Sequence, residues 1–288
     1  MKNYVIINSK KKPSSINVPD AEVFQTEHAG QAPELIQRIC KEDSPKNLHV
    51  YGGDGSVFET VNAVMQSNAQ SNTTVVIHPF GTGNDFARNY PNVESPTPNK
   101  IDLIRFDSMY AANEINIGFD CDVVVTTKKI KKVIKGSAAY LISALLTLFK
   151  PMGRTIDITV TDEDGKEETI NERMLLCLFA NGQYYGGGFQ CAPLASLSDG
   201  LLEFIYVKKI SRIKFLRFFM GYRNGKHFLK DGSINPKYRD FFRYKKIRSA
   251  TVRQVGSLCA DGEIFTFDTL HISIQEKAIN VQVEKRVK

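Results

Sequence analysis

The sequence predicts a two-part α/β plus mainly-β protein. A three-layer α/β domain is expected over residues 1–105, and an antiparallel β-sandwich over residues 106–288. Three observations carry this. Short apolar runs alternate with amphipathic stretches through the first hundred residues, as in a parallel, layered α/β domain. Two of those runs end in Gly-rich turns containing Asp and lead straight into helix-like sequence. From Thr155 onward, apolar runs follow one another closely with turn residues between them, as in antiparallel sheets.

Tyr4 to Asn8 (YVIIN) reads as a first buried strand, with Lys10, Lys11 and Lys12 at its carboxyl end. Pro13 and Pro19 spoil helical periodicity before the next strand, Glu22 to Thr26, so the crossover helix is expected to be shortened or absent. A helix follows over 31–41, with Leu35, Ile36 and Ile39 on one face. The Pro- and Asn-rich stretch from Pro91 to Asn99 has loop composition, and the domain junction is placed just beyond it. Strands are expected at 101–106 and 111–117, and helices at 120–135 and 137–150 around a break at Gly136. Further strands are expected at 155–161, 173–180, 202–207, 246–255, 264–268, 271–275 and 279–283, with one helix at 211–222.

The chain is organised around Val50 to Asn62 (VYGGDGSVFETVN). Gly52, Gly53 and Gly55 let a ligand approach the main chain, and Ser56 opens the helix that follows. The first turn of that helix offers free N–H groups and a positive dipole end, which suits phosphate. Asp54 in an anion-binding turn makes sense if a cation accompanies the phosphate, and Mg2+ is the usual companion. The same four residues also read as an ordinary tight turn. A second strand–turn–helix unit follows, in which Gly81, Thr82, Gly83, Asn84 and Asp85 succeed the apolar run TTVVI. Ligands of open α/β sheets bind beyond the carboxyl ends of the strands, so the two loops are expected to converge and to bring Asp54 and Asp85 together.

GGDGS followed by GTGNDFAR resembles the diacylglycerol kinase catalytic domain, in particular that of the soluble bacterial lipid kinases. GGDG alone is shared with NAD kinases and 6-phosphofructokinases. Two later segments extend the resemblance in the family's order. They are Gly186-Gly187-Gly188 through Ala192-Pro193 to Asp199-Gly200-Leu201-Leu202, and Asp261-Gly262-Glu263. The resemblance implies a nucleotide domain of the NAD kinase and phosphofructokinase kind, a β-rich domain binding lipid and metal, and an active site in the cleft between them. It implies ATP as co-substrate, Mg2+ as cofactor, and transfer of phosphate to the hydroxyl of diacylglycerol or a related lipid alcohol. Glu263 then stands where the family has its catalytic glutamate, with Asp261 joining Asp54 around metal-bound water. Asn8 and Thr26 match nucleotide-contacting positions, although the Pro and Gly that follow the Asn in the family are missing here. Asp199, with the carbonyls of Ser196 and Leu201, matches a second, structural Mg2+ site. Read from the residues alone, Asp261-Gly262 is equally a hairpin turn, and Ser198-Asp199-Gly200 a turn before a strand. The missing Pro and Gly motivate a competing reading, a non-catalytic relative that binds nucleotide or membrane.

The chain carries 38 Lys and Arg against 31 Asp and Glu, a net charge of +7, and the excess lies in the second half. Lys208 to Arg253 interleaves basic residues with Phe215, Phe218, Phe219, Tyr222, Phe228, Phe241, Phe242 and Tyr244. That pattern suits an anionic membrane surface, or forms a solvated basic face over an ordinary core. Nucleic acid is the weaker partner, and a homodimer is compatible with the sequence. Five scattered cysteines without CxxC spacing point away from a disulfide framework and a zinc site, toward a reducing cytoplasm. The N-terminus has no signal-peptide pattern, and the apolar run from Ala138 to Phe149 falls short of the ~20 residues needed to span a bilayer. The expected location is cytoplasmic, peripheral at the inner membrane face. No GxSxG elbow, HExxH pair or Walker lysine is present, so an anion cradle here has to work through backbone amides.

Overall fold

A computed structural model describes the chain except residues 8–12, 14, 15, 29, 43–45, 91–98, 131–136, 151 and 285–288; for 137–141 it describes the backbone only. Asn8 and Lys10 to Lys12, the Gly136 break and most of the Pro91 to Asn99 loop lie outside the described residues.

The amino-terminal part contains β1 (Lys2–Ile7), β2 (Ala21–Gln25), α1 (Gln31–Cys40), β3 (Lys46–Gly52), α2 (Asp54–Gln66) and β4 (Thr73–Pro79). A short 3-10 turn (Phe86–Asn89) follows. The strands pair in parallel in the order β4-β3-β1-β2. Alternation puts Tyr4, Ile6, Leu48, Val50, Val75 and Ile77 on one face, where they pack against Leu35, Ile36 and Ile39 of α1 and Val57, Val61 and Val64 of α2. The opposite face holds Val5, Ile7 and Tyr51 beneath Val18 and Ala21. Among the described residues no helix covers that second face. Between β1 and β2 the described residues 13 and 16–20 carry no helix, and the rest of that connection lies outside the described residues.

The carboxyl-terminal part contains β5 (Asn99–Phe106), β6 (Met109–Ala111), β7 (Glu114–Gly118), α3 (Phe119–Ile130), α4 (Ser137–Thr147), β8 (Arg154–Asp162) and β9 (Glu167–Ala180). After these come β10 (Tyr184–Tyr185), β11 (Phe189–Gln190), β12 (Leu202–Lys208), α5 (Arg212–Arg223), β13 (Phe242–Ala260) and β14 (Glu263–Val283). β9 and β13 each pair with β12, β7 and β8, so this antiparallel region closes on itself as a sandwich. Ile156, Ile158, Phe179, Phe204, Val252 and Leu258 fill its interior. A second apolar cluster packs α3, α4 and α5 outside, through Phe119, Ala144, Leu148, Phe215 and Phe218.

Two expectations change here. The segment expected as one strand at 111–117 is split, because Ala112 and Asn113 turn to present their amides to Asp261. The three runs expected between Ile264 and Val283 form one bent strand. Its register slips between Gln275 and Ile279, where Lys277 takes a left-handed backbone (φ 46), so a bulge bends the strand without ending it. β14 then pairs in parallel with β4, and the end of the chain completes the amino-terminal sheet. Most aromatic residues of the basic stretch belong to the core. Phe215, Phe218, Tyr222, Phe228, Phe241 and Phe242 are all buried.

Candidate active site

Main-chain crossing of the two glycine loops creates the site. β3 ends at Gly52 and β4 at Pro79, adjacent and parallel, so both loops leave the sheet at the same edge. Gly53 N-caps α2 with no side-chain cap; the Ser56 N–H donates to the Gly53 carbonyl at 2.9 Å, which leaves the N–H groups ahead of it for a ligand. Gly81 packs on Gly53 so closely that a Cβ added to it would lie 2.5 Å from the Gly53 Cα. Asn84 holds the second loop: its Oδ1 accepts from the Gly81 N–H at 2.8 Å and its Nδ2 donates to the Gly81 carbonyl at 2.9 Å.

A cavity of about 500 Å³ opens over these loops. From the amino-terminal part it is lined by Gly53, Asp54, Gly55, Ser56, Gly81, Thr82, Gly83 and Asp85. From the carboxyl-terminal part Glu114, Asn116, Lys128, Gly187, Asp261 and Glu263 reach it. Most of the expected site residues therefore meet in one cleft between the two halves. Gly52 and Asn84 brace it from behind without lining it. Thr26 does not reach it. That side chain is buried, and its hydroxyl donates to the Ile7 carbonyl at 3.2 Å.

The site is strongly acidic. Asp54 accepts from the Phe86 N–H at 3.0 Å, and burial raises its carboxyl above the usual range against the pull of nearby amides. Asp85 accepts from the Gly187 N–H at 2.7 Å. Burial, then the nearby Asp54 charge, push Asp85 up to about 6. That amide is available because Gly186, Gly187 and Gly188 follow one another with left-handed backbones (φ 63, 88 and 101), a run that residues with a Cβ seldom adopt. The glycine triplet thus ties the second domain to the second phosphate-type loop.

Asp261 and Gly262 form the two-residue turn between β13 and β14, both with positive φ. The Asp261 carboxylate accepts from the N–H groups of Ala112 at 2.7 Å, Asn113 at 3.0 Å and Glu114 at 2.9 Å. Its oxygens are largely used by these amides, so it positions the β6–β7 turn as well as lining the cavity. Burial raises it to about 6. Glu263, the first residue of β14, stands half-exposed at the rim, and its Oε2 is 2.9 Å from the Lys128 Nζ. A Cβ on Gly55 would lie 3.9 Å from Glu263 Oε1, which places this carboxylate next to the start of α2.

Sequence reasoning did not single out Glu114, Asn116 or Lys128. Glu114 and Asn116 share one face of β7 and are buried at the bottom of the cavity. Among the described residues, Glu114 Oε2 and both amide atoms of Asn116 make no hydrogen bond of standard geometry. Burial, with Asp261 and Asp85 nearby, pushes the Glu114 carboxyl well above the carboxylate range. A Glu two residues before an Asn in an otherwise apolar strand was the available signal. Lys128 could have been sought as the cation facing Glu263, on the face of α3 that also carries Val124.

The structure fits a cation at one of the two expected places. Among the described residues no group of three or more His, Cys, Asp or Glu side chains could hold a metal ion. Around the glycine loops, Asp54 is half-buried and Asp85 buried, with the half-exposed Arg88 3.4 Å from Asp85. That excess of buried negative charge suits a cation arriving with phosphate oxygens and water. The Asp199 turn lies outside the cavity. Its carboxylate meets Lys246 Nζ at 2.6 Å, and the same ammonium is 3.5 Å from the buried Glu203. A lysine already supplies the positive charge there, so Asp199 with Ser196 and Leu201 does not fit a metal as placed.

Comparison with known proteins agrees with the sequence order of these elements. Residues 7–111 match the model of the diacylglycerol kinase catalytic domain. Residues 113–283 match the model of the YegS C-terminal NAD kinase beta sandwich-like domain. A Chromohalobacter salexigens protein named a probable YegS-like lipid kinase is 29% identical over 74% of this chain and 67% of its own length. A Shewanella frigidimarina protein of the same name is 31% identical over 59% of this chain and 57% of its own length. The crystal structure of a diacylglycerol kinase from Bacillus anthracis superposes over 100% of this chain and 98% of its own. The TM-score is 0.68 at 19% identity, a likeness of fold.

Proposed function

The chain belongs to the lipid kinase family that joins a diacylglycerol kinase catalytic domain to a YegS-type sandwich, and from that premise we propose an ATP- and Mg2+-dependent kinase for diacylglycerol or a related lipid alcohol. One observation carries the proposal: both glycine loops, Asp54, Asp85 and Glu263 line a single cleft.

In this reading the triphosphate lies across Gly53 to Ser56 and Gly81 to Gly83. The unshared N–H groups at the start of α2 meet its oxygens. Thr82 adds a hydroxyl beside the second loop. Asp54 and Asp85 would hold Mg2+ together with phosphate oxygens and water. The bound ion would neutralise charge on the transferring phosphoryl group. Glu263 accepts the proton of the acceptor hydroxyl as its oxygen attacks the γ-phosphorus, and ADP departs. Lys128, now paired with Glu263, holds that carboxylate at the rim before the acceptor arrives. Asp261 holds the turn that carries Glu263. The acceptor reaches the cleft from an anionic membrane surface, at which the protein acts peripherally.

The test is transfer of labelled γ-phosphate to a panel of lipid alcohols in mixed micelles. Glu263→Gln should lower turnover by about 10²-fold or more, the scale of losing a general base, and leave Mg2+–ATP affinity unchanged. Equal turnover in the two proteins would remove Glu263 from the reaction.

A further inference from the structure

Most aromatic residues of the basic stretch are in the core, yet a different apolar surface stands exposed beside it. At the end of α4, Leu145, Leu146 and Phe149 are 46%, 49% and 84% exposed. Along α5, Ile213, Leu216 and Met220 are 66%, 46% and 53% exposed. The two edges adjoin. Arg212 at the start of α5 donates from Nε to the Leu148 carbonyl at 2.6 Å, which joins the first turn of α5 to the last turn of α4. Beneath them Ala144, Leu148, Phe215 and Phe218 pack into one core cluster, so the exposed side chains stand on a rigid base. Core helices normally hide such residues; here each helix has one apolar row inside and a second one outside.

Charge around this surface has one sign. Arg212, Lys214, Arg217 and Lys150 are exposed among the apolar side chains. No Asp or Glu occurs from Ser137 to Lys150, or from Phe204 to Lys230. The acid facing Lys150 is Asp122 on α3. Protruding leucine, isoleucine and phenylalanine interspersed with arginine and lysine match the interface of an anionic bilayer. There the apolar groups enter the acyl boundary and the cations meet phosphate headgroups. A second copy of this chain fits less well, because a two-fold contact through this face would set arginine against arginine.

The surface also adjoins the cleft. α3 gives Val124, Thr127 and Lys128 to the cavity wall. The same helix is tied to α4 through Thr126 and Thr147, whose hydroxyls are 3.3 Å apart, and through Lys150, which donates to Thr126 Oγ1 at 3.1 Å. We infer that the exposed edges of α4 and α5 form the docking face for an anionic lipid surface, presenting the α3 wall of the cleft to the bilayer. Its use for catalysis rests on the lipid-kinase reading. The docking itself does not, and is measured without nucleotide.

The chain contains no tryptophan, so Phe149→Trp places a single reporter on this face. With full-length protein, phosphatidylglycerol-rich vesicles should shift its emission to the blue, phosphatidylcholine vesicles should not, and added salt should reverse the shift. In sedimentation with the same vesicles, Phe149→Ser combined with Ile213→Ser should weaken partitioning by about ten-fold or more, given two apolar anchors removed. Its melting temperature and its turnover on micellar acceptor should remain those of the parent. An unshifted spectrum from the Phe149→Trp reporter, parental vesicle binding by the double variant, or a solution dimer abolished by Phe149→Ser would each overturn the inference. Loss of kinase activity with vesicle binding intact would count against the proposed reaction and leave the docking face standing.

Discussion

Contact between the two phosphate-type loops can be tested by adding single methyl groups. Neither Gly55 nor Gly81 has a left-handed backbone, so space alone decides what alanine does at each. At Gly81 the new Cβ would lie 2.5 Å from the Gly53 Cα and 2.8 Å from Asn84 Oδ1. The first neighbour is main chain. The second is pinned by its two hydrogen bonds to Gly81 and moves only by breaking them. The loops must therefore part by about 1 Å, at a cost of roughly 1–3 kcal/mol for overpacking. A displacement of ~1 Å between parts of one phosphate cradle costs about 10²-fold in rate. At Gly55, outside its own helix, the only neighbour within 4 Å among the described residues is Glu263 Oε1, at 3.9 Å. Alanine fits there, and in the first turn of α2 it adds up to ~1 kcal/mol of helix stability.

The two variants should therefore separate. Gly81→Ala melts lower and loses turnover. Gly55→Ala melts at or above the parent temperature, but its methyl group stands where the phosphates would lie, so its KM for ATP rises about ten-fold or more, as for one hydrogen bond forfeited with a charged ligand. Thermal melts with initial rates over an ATP series read both. A Gly55→Ala protein with parental ATP affinity would place the triphosphate elsewhere, and a parental Gly81→Ala would refute the rigid contact between the loops.

Asp85 makes a pH prediction. Its carboxyl is raised to about 6 in the fold against ~3.9 unfolded, so below pH ~4 it carries no penalty. The penalty grows as pH rises from ~4 to ~6 and is complete above that, at roughly 1–3 kcal/mol. Asp85→Asn should then melt above the parent at pH 7 without nucleotide, lose that advantage near pH 4, and be inactive; a constant difference across pH would refute the assignment. Asp261→Asn keeps one of the two oxygens that accept three backbone N–H groups and turns the other into an NH2 facing a donor, so it should destabilise by about 1–3 kcal/mol in denaturant melts, a penalty that an unchanged midpoint would contradict. Glu114→Leu replaces a buried acid that has one unpartnered oxygen, so it should raise the melting temperature by a few degrees. If the acid meets the acceptor, KM for the lipid alcohol rises and KM for ATP stays; unchanged acceptor kinetics would leave Glu114 no part in binding it.

What could be read in advance follows from local periodicity. β1, β3 and β4 were legible as short apolar runs and α1 and α2 because each shows one apolar face, and the glycine loops because Asp inside a phosphate-type turn needs a reason. The convergence of Asp54, Asp85 and Glu263 was expected from the order of motifs, and all three line the one cavity. Glu114 was not. Its burial comes from β13 and β9 closing over both edges of β7, contacts contributed by residues far along the chain. The single strand β14 was hidden because Lys277 and the polar residues around it look like a turn, whereas the fold uses them as a bulge. The basic aromatic stretch misled for the opposite reason: period-3.6 burial took Phe215, Phe218 and Tyr222 inward and left leucine, isoleucine and methionine outside.

β14 limits how this cleft can work. It begins at Glu263 on the cavity rim and ends paired with β4, and the next residue, Glu284, donates its N–H to the Ile77 carbonyl at 2.8 Å. One continuous strand thus connects the carboxylate at the rim to the sheet that carries both glycine loops. Its bend is pinned as well: buried Asp102 accepts from the Lys277 N–H at 2.7 Å and from the Gly200 N–H at 2.8 Å. A hinge between the halves would have to break sheet hydrogen bonds as well as these charge-assisted ones, which is costly beside the few kcal/mol that ordinary domain closure involves. Adjustment toward an acceptor therefore falls to parts outside that ladder. The Lys128–Glu263 pair is the most direct: both side chains are 46% exposed, and exposed pairs of this kind hold by at most ~1 kcal/mol. In the proposed reaction, parting them would free the Glu263 carboxylate for the hydroxyl and a cation for the phosphates, without moving either domain.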